Sequence, residues 1–182
     1  MNLPNKLTLL RIALVPVYLL LMWLGQGAFA ANVAALAVFA CASLTDLFDG
    51  RIARSRGLVT NFGKFMDPIA DKLLTVTAFI VMVDLERMSA WMCVVFVARE
   101  FVVSGLRLVA VEQGRVIAAG LSGKVKTVLQ MAAVMLLTLD LPALSAVTAL
   151  VLWAAVAMTV YSMAVYLWQN RAVFHERDAS HA

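Results

Sequence analysis

Apolar residues fill this chain in six long blocks separated by short polar breaks. The first block runs from Leu9 to Leu24 and stops at Gly25-Gln26-Gly27, and the second runs from Phe29 into Asp46. The third begins near Phe65 and leaves at Val83, ahead of Asp84, Glu86 and Arg87, and the fourth covers Trp91 to about Val111. The fifth, Leu121 to Leu139, ends at Asp140-Leu141-Pro142; the sixth spans Leu144 to Trp168 and leaves a polar tail from about 170 to 182. A membrane-crossing helix needs about 20 apolar residues, somewhat fewer where its ends snorkel. The pattern therefore predicts an all-α integral membrane bundle of six transmembrane helices in one domain, residues 1–182.

Composition supports that class. At 182 residues with 63% hydrophobic and 14% charged positions, the chain has more apolar surface than a water-soluble domain of this size can hide. Arg11 lies at the start of the first block and no cleavage site with a polar continuation follows, so that block is expected to be a retained span rather than a leader. The distribution of charge then sets orientation. With six spans, Arg87 alone among the lysines and arginines falls on the side of the short acidic loops. The basic side is the cytoplasmic one, which places both termini there. Trp23, Trp91 and Trp168 fall near span ends as an aromatic belt would, and Trp153 lies deeper, where packing explains it. The net charge of +4 reads as loop topology and attraction to anionic lipid, not as a nucleic-acid surface. Cys41 and Cys93 read as small hydrophobes inside spans, and His175 and His181 as solvated tail residues.

One run departs from the apolar background. Asp46, Asp49, Asp67 and Asp71 place four carboxylates within 26 residues. If their segments are helical, Asp46 and Asp49 share a face at i,i+3 and Asp67 and Asp71 at i,i+4, with Gly50 and Gly63 between the pairs. Carboxylates gathered so closely repel one another unless a cation sits among them. Salt bridges to Arg51, Arg54, Lys64 and Lys72 would supply positive charge, but they do not account for two one-face pairs with glycine between. Hard divalent cations prefer carboxylate oxygen, and paired metals suit phosphoryl transfer. The run reads as a site for two divalent cations, Mg²⁺ or Mn²⁺.

The spacing Asp46-x2-Asp49-Gly50-x2-Ala53-Arg54-x8-Gly63-x3-Asp67-x3-Asp71 resembles the motif of the CDP-alcohol phosphotransferase family. Members of that family move a phosphoryl-linked group from a CDP-alcohol onto a second alcohol and release CMP. The resemblance implies that Asp46, Asp49, Asp67 and Asp71 hold the two metal ions and that Asp71 is also the general base. It assigns Gly50, Ala53, Arg54 and Thr60 to the CDP-linked donor, the small residues for close backbone approach and Arg54 for the diphosphate. The lead-in Asn5-Lys6-Leu7-Thr8 is similar to the family's first helix, which places Asn5 and Thr8 near the nucleotide; a helix cap with a basic anchor accounts for them equally well. The family also implies a homodimer.

Arg99 and Arg107 stand eight apart, roughly on one helix face, and Gly123-Lys124-Val125-Lys126-Thr127 opens the fifth block from the same side. Two arginines and two lysines form a socket for an anionic acceptor, Arg99 being open to neutralisation by Glu100 or Asp71. Topology or anionic lipid could also account for these charges. The run Ala98-Arg99-Glu100-Phe101-x2-Ser104-Gly105-Leu106-Arg107 with the Gly123 segment is similar to family members whose donor is CDP-diacylglycerol and whose acceptor is glycerol 3-phosphate. On that resemblance Arg99, Arg107, Lys124 and Lys126 bind the acceptor's phosphate. The setting would be a bacterial inner membrane, with a polar cavity open to the cytoplasm. Inositol phosphate, or with less reason serine, is the rival acceptor within the family. Outside it the rival is a divalent-cation transporter, against which the one-sided clustering of the aspartates and the lack of an inverted repeat both speak.

Overall fold

The structure is a computed structural model that describes residues 3–25, 28–55, 61–115, 117–118, 120–171 and 173. Within these ranges the side chains of 3–4, 46–55, 61–65, 67–68 and 71 lie outside the description. The described residues form six α-helices and one short 3₁₀ turn: α1 Leu3–Gly25, α2 Phe29–Ser55, α3 Asn61–Asp84, α4 Ala90–Glu112, α5 Leu121–Leu139, the turn Pro142–Leu144, and α6 Ser145–Gln169. Each apolar block of the sequence lies within a helix, apart from Leu144, which closes the 3₁₀ turn ahead of α6, and three helices outrun their blocks by a turn or more. α1 begins before Leu9, α2 continues past Asp46 to Ser55, and α3 begins before Phe65. Gly50 and Gly63 consequently stand inside helices.

Polar side chains are buried among the apolar core while large apolar ones face outward. Among the buried side chains are Asn5, Thr8, Arg11, Asn32, Arg99, Lys126, Gln130, Thr159 and Ser162, whereas Leu24, Phe101, Leu121 and Leu150 are more than two-thirds exposed. Water would penalise that arrangement; a hydrocarbon surrounding favours it, because polar groups then find partners only inside. Hydroxyls on α6 follow the same logic: Thr148 donates to the Leu144 carbonyl at 3.0 Å and Thr159 to that of Ala155. Among the described residues, two helical stretches, Asn5–Gly25 and Pro142–Gln169, are long and apolar enough to cross a membrane, and Phe29–Thr45 is a shorter apolar one.

The chain divides into two compact units, Met1–Ser89 with Val134–Thr148, and Ala90–Ala133 with Ala149–Ala182. In the first, α1 packs against both α2 and α3. Tyr18 and Phe39 stack at 5.7 Å between ring centroids, and the Tyr18 hydroxyl and Thr138 Oγ1 share a hydrogen bond of 2.9 Å. α3 ends in a Schellman motif, with Arg87 N–H bonded to the Met82 carbonyl and Glu86 N–H to that of Val83. Glu86 takes the left-handed conformation there, at φ 58°. Arg87 then reaches the C-terminal end of α5. It donates to the carbonyls of Leu137 and Thr138 and pairs with Asp140 at 3.1 Å. A cation at that position meets the negative end of the helix dipole, so the one basic residue among the acidic loops is fully engaged.

In the second unit, Val103, Leu106 and Ala110 of α4 pack with Tyr166 of α6 and Val173 beyond it. Trp91 and Trp153 meet at 5.6 Å between centroids, so Trp153 makes the packing contact expected of it.

The turn between α1 and α2 depends on Gly25, where an added Cβ would fall 2.2 Å from the Ala31 Cβ. Gly25→Val should therefore force the two helix ends apart and cost about 1–3 kcal/mol. A thermal midpoint in detergent equal to that of the parent protein would show that the turn relaxes without cost.

Candidate active site

The first unit gathers the acidic run at one end. Asp46 and Asp49 fall on the continuous helix α2, three residues apart, and Asp67 and Asp71 on α3, four apart. Their side chains, and those of Gly50, Ala53 and Arg54, lie outside the described residues, as does Thr60 altogether. Helix register nevertheless fixes the level at which each backbone position stands. Arg11 of α1 donates from Nε to the Ala42 carbonyl of α2 at 3.3 Å, and Trp23 donates from Nε1 to Asp84 Oδ2 of α3 at 2.9 Å. With Tyr18 against Phe39 as well, α1 runs antiparallel to α2 and parallel to α3. At about 1.5 Å rise per residue, Asp46 and Asp49 lie roughly 6–10 Å along α2 beyond Ala42, while Asn5 and Thr8 lie roughly 5–9 Å along α1 beyond Arg11. The same count from Trp23 and Asp84 brings Asp67 and Asp71 to that level too. All four aspartate positions thus share one end of the unit with Asn5 and Thr8.

Asn5, Thr8 and Arg11 form a buried polar stripe on α1, which continues as the apolar stripe Val15, Tyr18, Met22. The face is one; only its chemistry changes toward the acidic end. Arg11 has no solvent exposure, and Thr45 also donates to the Ala42 carbonyl, at 2.7 Å. The turn of α2 just before Asp46 is thereby tied to α1. As a donor set, four carboxylates on two adjacent helix ends suit hard divalent cations. Elsewhere among the described side chains no group of three or more His, Cys, Asp or Glu could hold a metal.

The second unit holds a cavity of about 110 Å³, lined by Arg99 and Arg107 of α4, by Ile117, Ala118 and Gly120 ahead of α5, by Ser122 and Gly123 in its first turn, and by Tyr166, Gln169 and Asn170 at the end of α6. A single water needs only about 10–15 Å³ by the same measure, so the space suits a small polar molecule. Arg99 is buried, donating from Nε to Ser162 Oγ at 3.3 Å and from Nη1 to Glu100 at 3.3 Å. Its guanidinium lies against Gly123, where a Cβ would come within 3.3 Å of Nη2. Arg107 donates from Nε to the Tyr166 hydroxyl at 3.0 Å, and its guanidinium carbon sits 5.6 Å from the centre of that ring.

Arg99 and Arg107 are therefore brought to one cavity. The two lysines part company: Lys124 is exposed on the first turn of α5, and Lys126 is buried and ion-paired with Glu100. Residues two apart on a helix face nearly opposite ways. Ser162 and Tyr166 were absent from the sequence reading. Their signal was there in weak form, as Thr159, Ser162 and Tyr166 make a hydroxyl stripe at i, i+3 and i+7 on an apolar helix.

Comparison with known proteins bears on both units. A family model described as CDP-alcohol phosphatidyltransferase matches residues 1–161. The CDP-diacylglycerol–glycerol-3-phosphate 3-phosphatidyltransferase of Bacillus subtilis strain 168 is 44% identical, the match covering 93% of this chain and 95% of that one. Proteins of the same name from Rickettsia typhi, 42% identical over 87% of this chain and 91% of their own, and from Pseudomonas fluorescens, 38% identical over 92% and 89%, are also similar. With its long apolar helices and exposed apolar faces, the chain is a membrane protein. Its acidic motif, helical placement and extended similarity make it a member of the CDP-alcohol phosphatidyltransferase family.

Proposed function

We propose that this chain transfers the phosphatidyl group of CDP-diacylglycerol to the primary hydroxyl of sn-glycerol 3-phosphate, giving phosphatidylglycerophosphate and CMP. The observation that carries this reading is similarity at 44% identity over nearly the whole chain to a protein named for that reaction. The cavity that pairs Arg99 with Arg107 supports it, because a phosphate-bearing acceptor is what two converging guanidinium groups recognise.

In this reading Asp46, Asp49, Asp67 and Asp71 hold two divalent cations, Mg²⁺ or Mn²⁺. When bound, such ions offset charge on the diphosphate and on the departing CMP. The chain's own residues do the rest. Asn5, Thr8 and Thr60 border the nucleotide, Gly50 and Ala53 keep the helix surface low for its approach, and Arg54 binds the diphosphate. Arg107 and Arg99 hold the acceptor's phosphate, with Lys124 and Lys126 adding positive potential. Binding energy from that remote group orients the reacting hydroxyl. Asp71 takes the hydroxyl proton as the oxygen bonds to the phosphatidyl phosphorus and the bond to CMP breaks. Six spans, a cytoplasmic face for both termini and the site, and a bacterial inner membrane complete the proposal. It is supported by the near-complete segregation of basic residues.

With CDP-diacylglycerol in mixed micelles, CMP should appear on addition of glycerol 3-phosphate and not of inositol phosphate or serine. Release with inositol phosphate alone would reassign the acceptor. Asp71→Asn should cut kcat by about 10²–10⁴-fold, the range of a lost general base, in protein that still elutes as a folded species; near-parental turnover refutes the role. Arg107→Ala should raise KM for glycerol 3-phosphate about 10-fold or more, since a charged hydrogen bond is worth about 1.5–3 kcal/mol. An equal rise for both substrates would count against a phosphate contact.

A further inference from the structure

The two cavity arginines share one feature that nothing in the acidic motif requires. Each spends its Nε–H on a hydroxyl of α6, Arg99 on Ser162 and Arg107 on Tyr166. At Arg107 an engaged Nε leaves the two terminal amino groups as a fork, the geometry that grips phosphate oxygens in pairs, whereas Arg99 already gives Nη1 to Glu100. Arg99 and Arg107 stand eight residues apart, about 12 Å along α4, whereas Ser162 and Tyr166 stand four apart, about 6 Å along α6. The hydroxyls therefore draw the two cationic heads together on one cavity. Tyr166 is the firmer anchor of the two. It is only 7% exposed, its ring is packed among Val103, Leu106, Ala110 and Val173, and the same ring supports the Arg107 guanidinium from below. Arg107 itself is exposed, and a long exposed side chain without such a hold would have to be ordered by the ligand on each binding event. Tyr166 also lies beyond the residues that the family model matches. A family defined by its CDP-linked donor need not share the wall of its acceptor cavity.

We propose that Tyr166 is a positioning residue for the acceptor's phosphate, holding the Arg107 guanidinium in its phosphate-binding orientation through the Nε–hydroxyl bond and the ring beneath it. The proposal rests on the reading of this cavity as the glycerol 3-phosphate site. Tyr166→Phe is the direct test, since it removes the hydroxyl and keeps the buried ring. With CDP-diacylglycerol saturating, KM for glycerol 3-phosphate should rise about 3- to 10-fold, while kcat and the KM for CDP-diacylglycerol stay within about two-fold. In an Arg107→Ala background the same substitution should change KM by less than about two-fold, because the group it positions is gone. If Arg107→Ala raises KM but Tyr166→Phe does not, the positioning role is wrong and the cavity reading stands. A full Tyr166→Phe effect in both backgrounds means that the tyrosine acts on packing and not through Arg107, which also overturns the proposal. Should Arg107→Ala leave KM unchanged, the cavity is not the acceptor site and the role of Tyr166 falls with it.

Discussion

A charge carried on an apolar helix must find a partner inside the protein, because the surroundings offer none. That constraint runs through the described residues. Arg11 donates to a carbonyl of α2, Arg87 closes the end of α5 and pairs with Asp140, and Glu100 takes both Arg99 and Lys126. Each such pairing joins two helices or fixes one end of a helix. Apolar side chains pack these helices, but they pack them without direction, and lipid is as good a partner for a leucine as another leucine is. The polar pairings supply the register.

Register in turn gives each unit its chemistry. In the first, the Arg11 and Trp23 contacts set α1 against α2 and α3 so that Asn5, Thr8 and the four aspartate positions stand at one level. In the second, two hydroxyls of α6 gather the cationic heads of α4 at the segment leading into α5. In the proposed function the first unit would serve the CDP-linked donor and the second the phosphate-bearing acceptor. The division of labour also fits the comparisons: the motif shared across the family lies on α2 and α3, while the cavity reaches residues past its end.

The extra helical length beyond the apolar blocks also bears on the proposed site. Because α2 runs on past its apolar block to Ser55, Asp49 joins Asp46, Asp67 and Asp71 on regular helix and not on a loop. Regular helix holds a ligand set with less positional freedom than loop backbone does. Gly50 inside α2 costs helix stability, a cost that the proposed approach of a nucleotide to the helix surface would account for.

Sequence by itself determined a good deal: the six helices, from blocks of apolar residues, and the acidic motif, from fixed spacing that needs only a 3.6-residue period to become two one-face pairs. It also pointed to Arg99 and Arg107 as partners, since eight residues bring a helix round to within about 80° of the same direction. Local periodicity settles such matters without knowledge of neighbours. Tertiary structure alone decided which neighbour each face meets. It separated Lys126, bound to Glu100, from exposed Lys124, although the two read as a pair in the chain. It made Arg11 a tie between α1 and α2, and it brought Ser162 and Tyr166 to arginines about 60 positions away. No pattern along one helix encodes those contacts, because they depend on the rotation and register of a second helix, set by where buried polar groups can be satisfied.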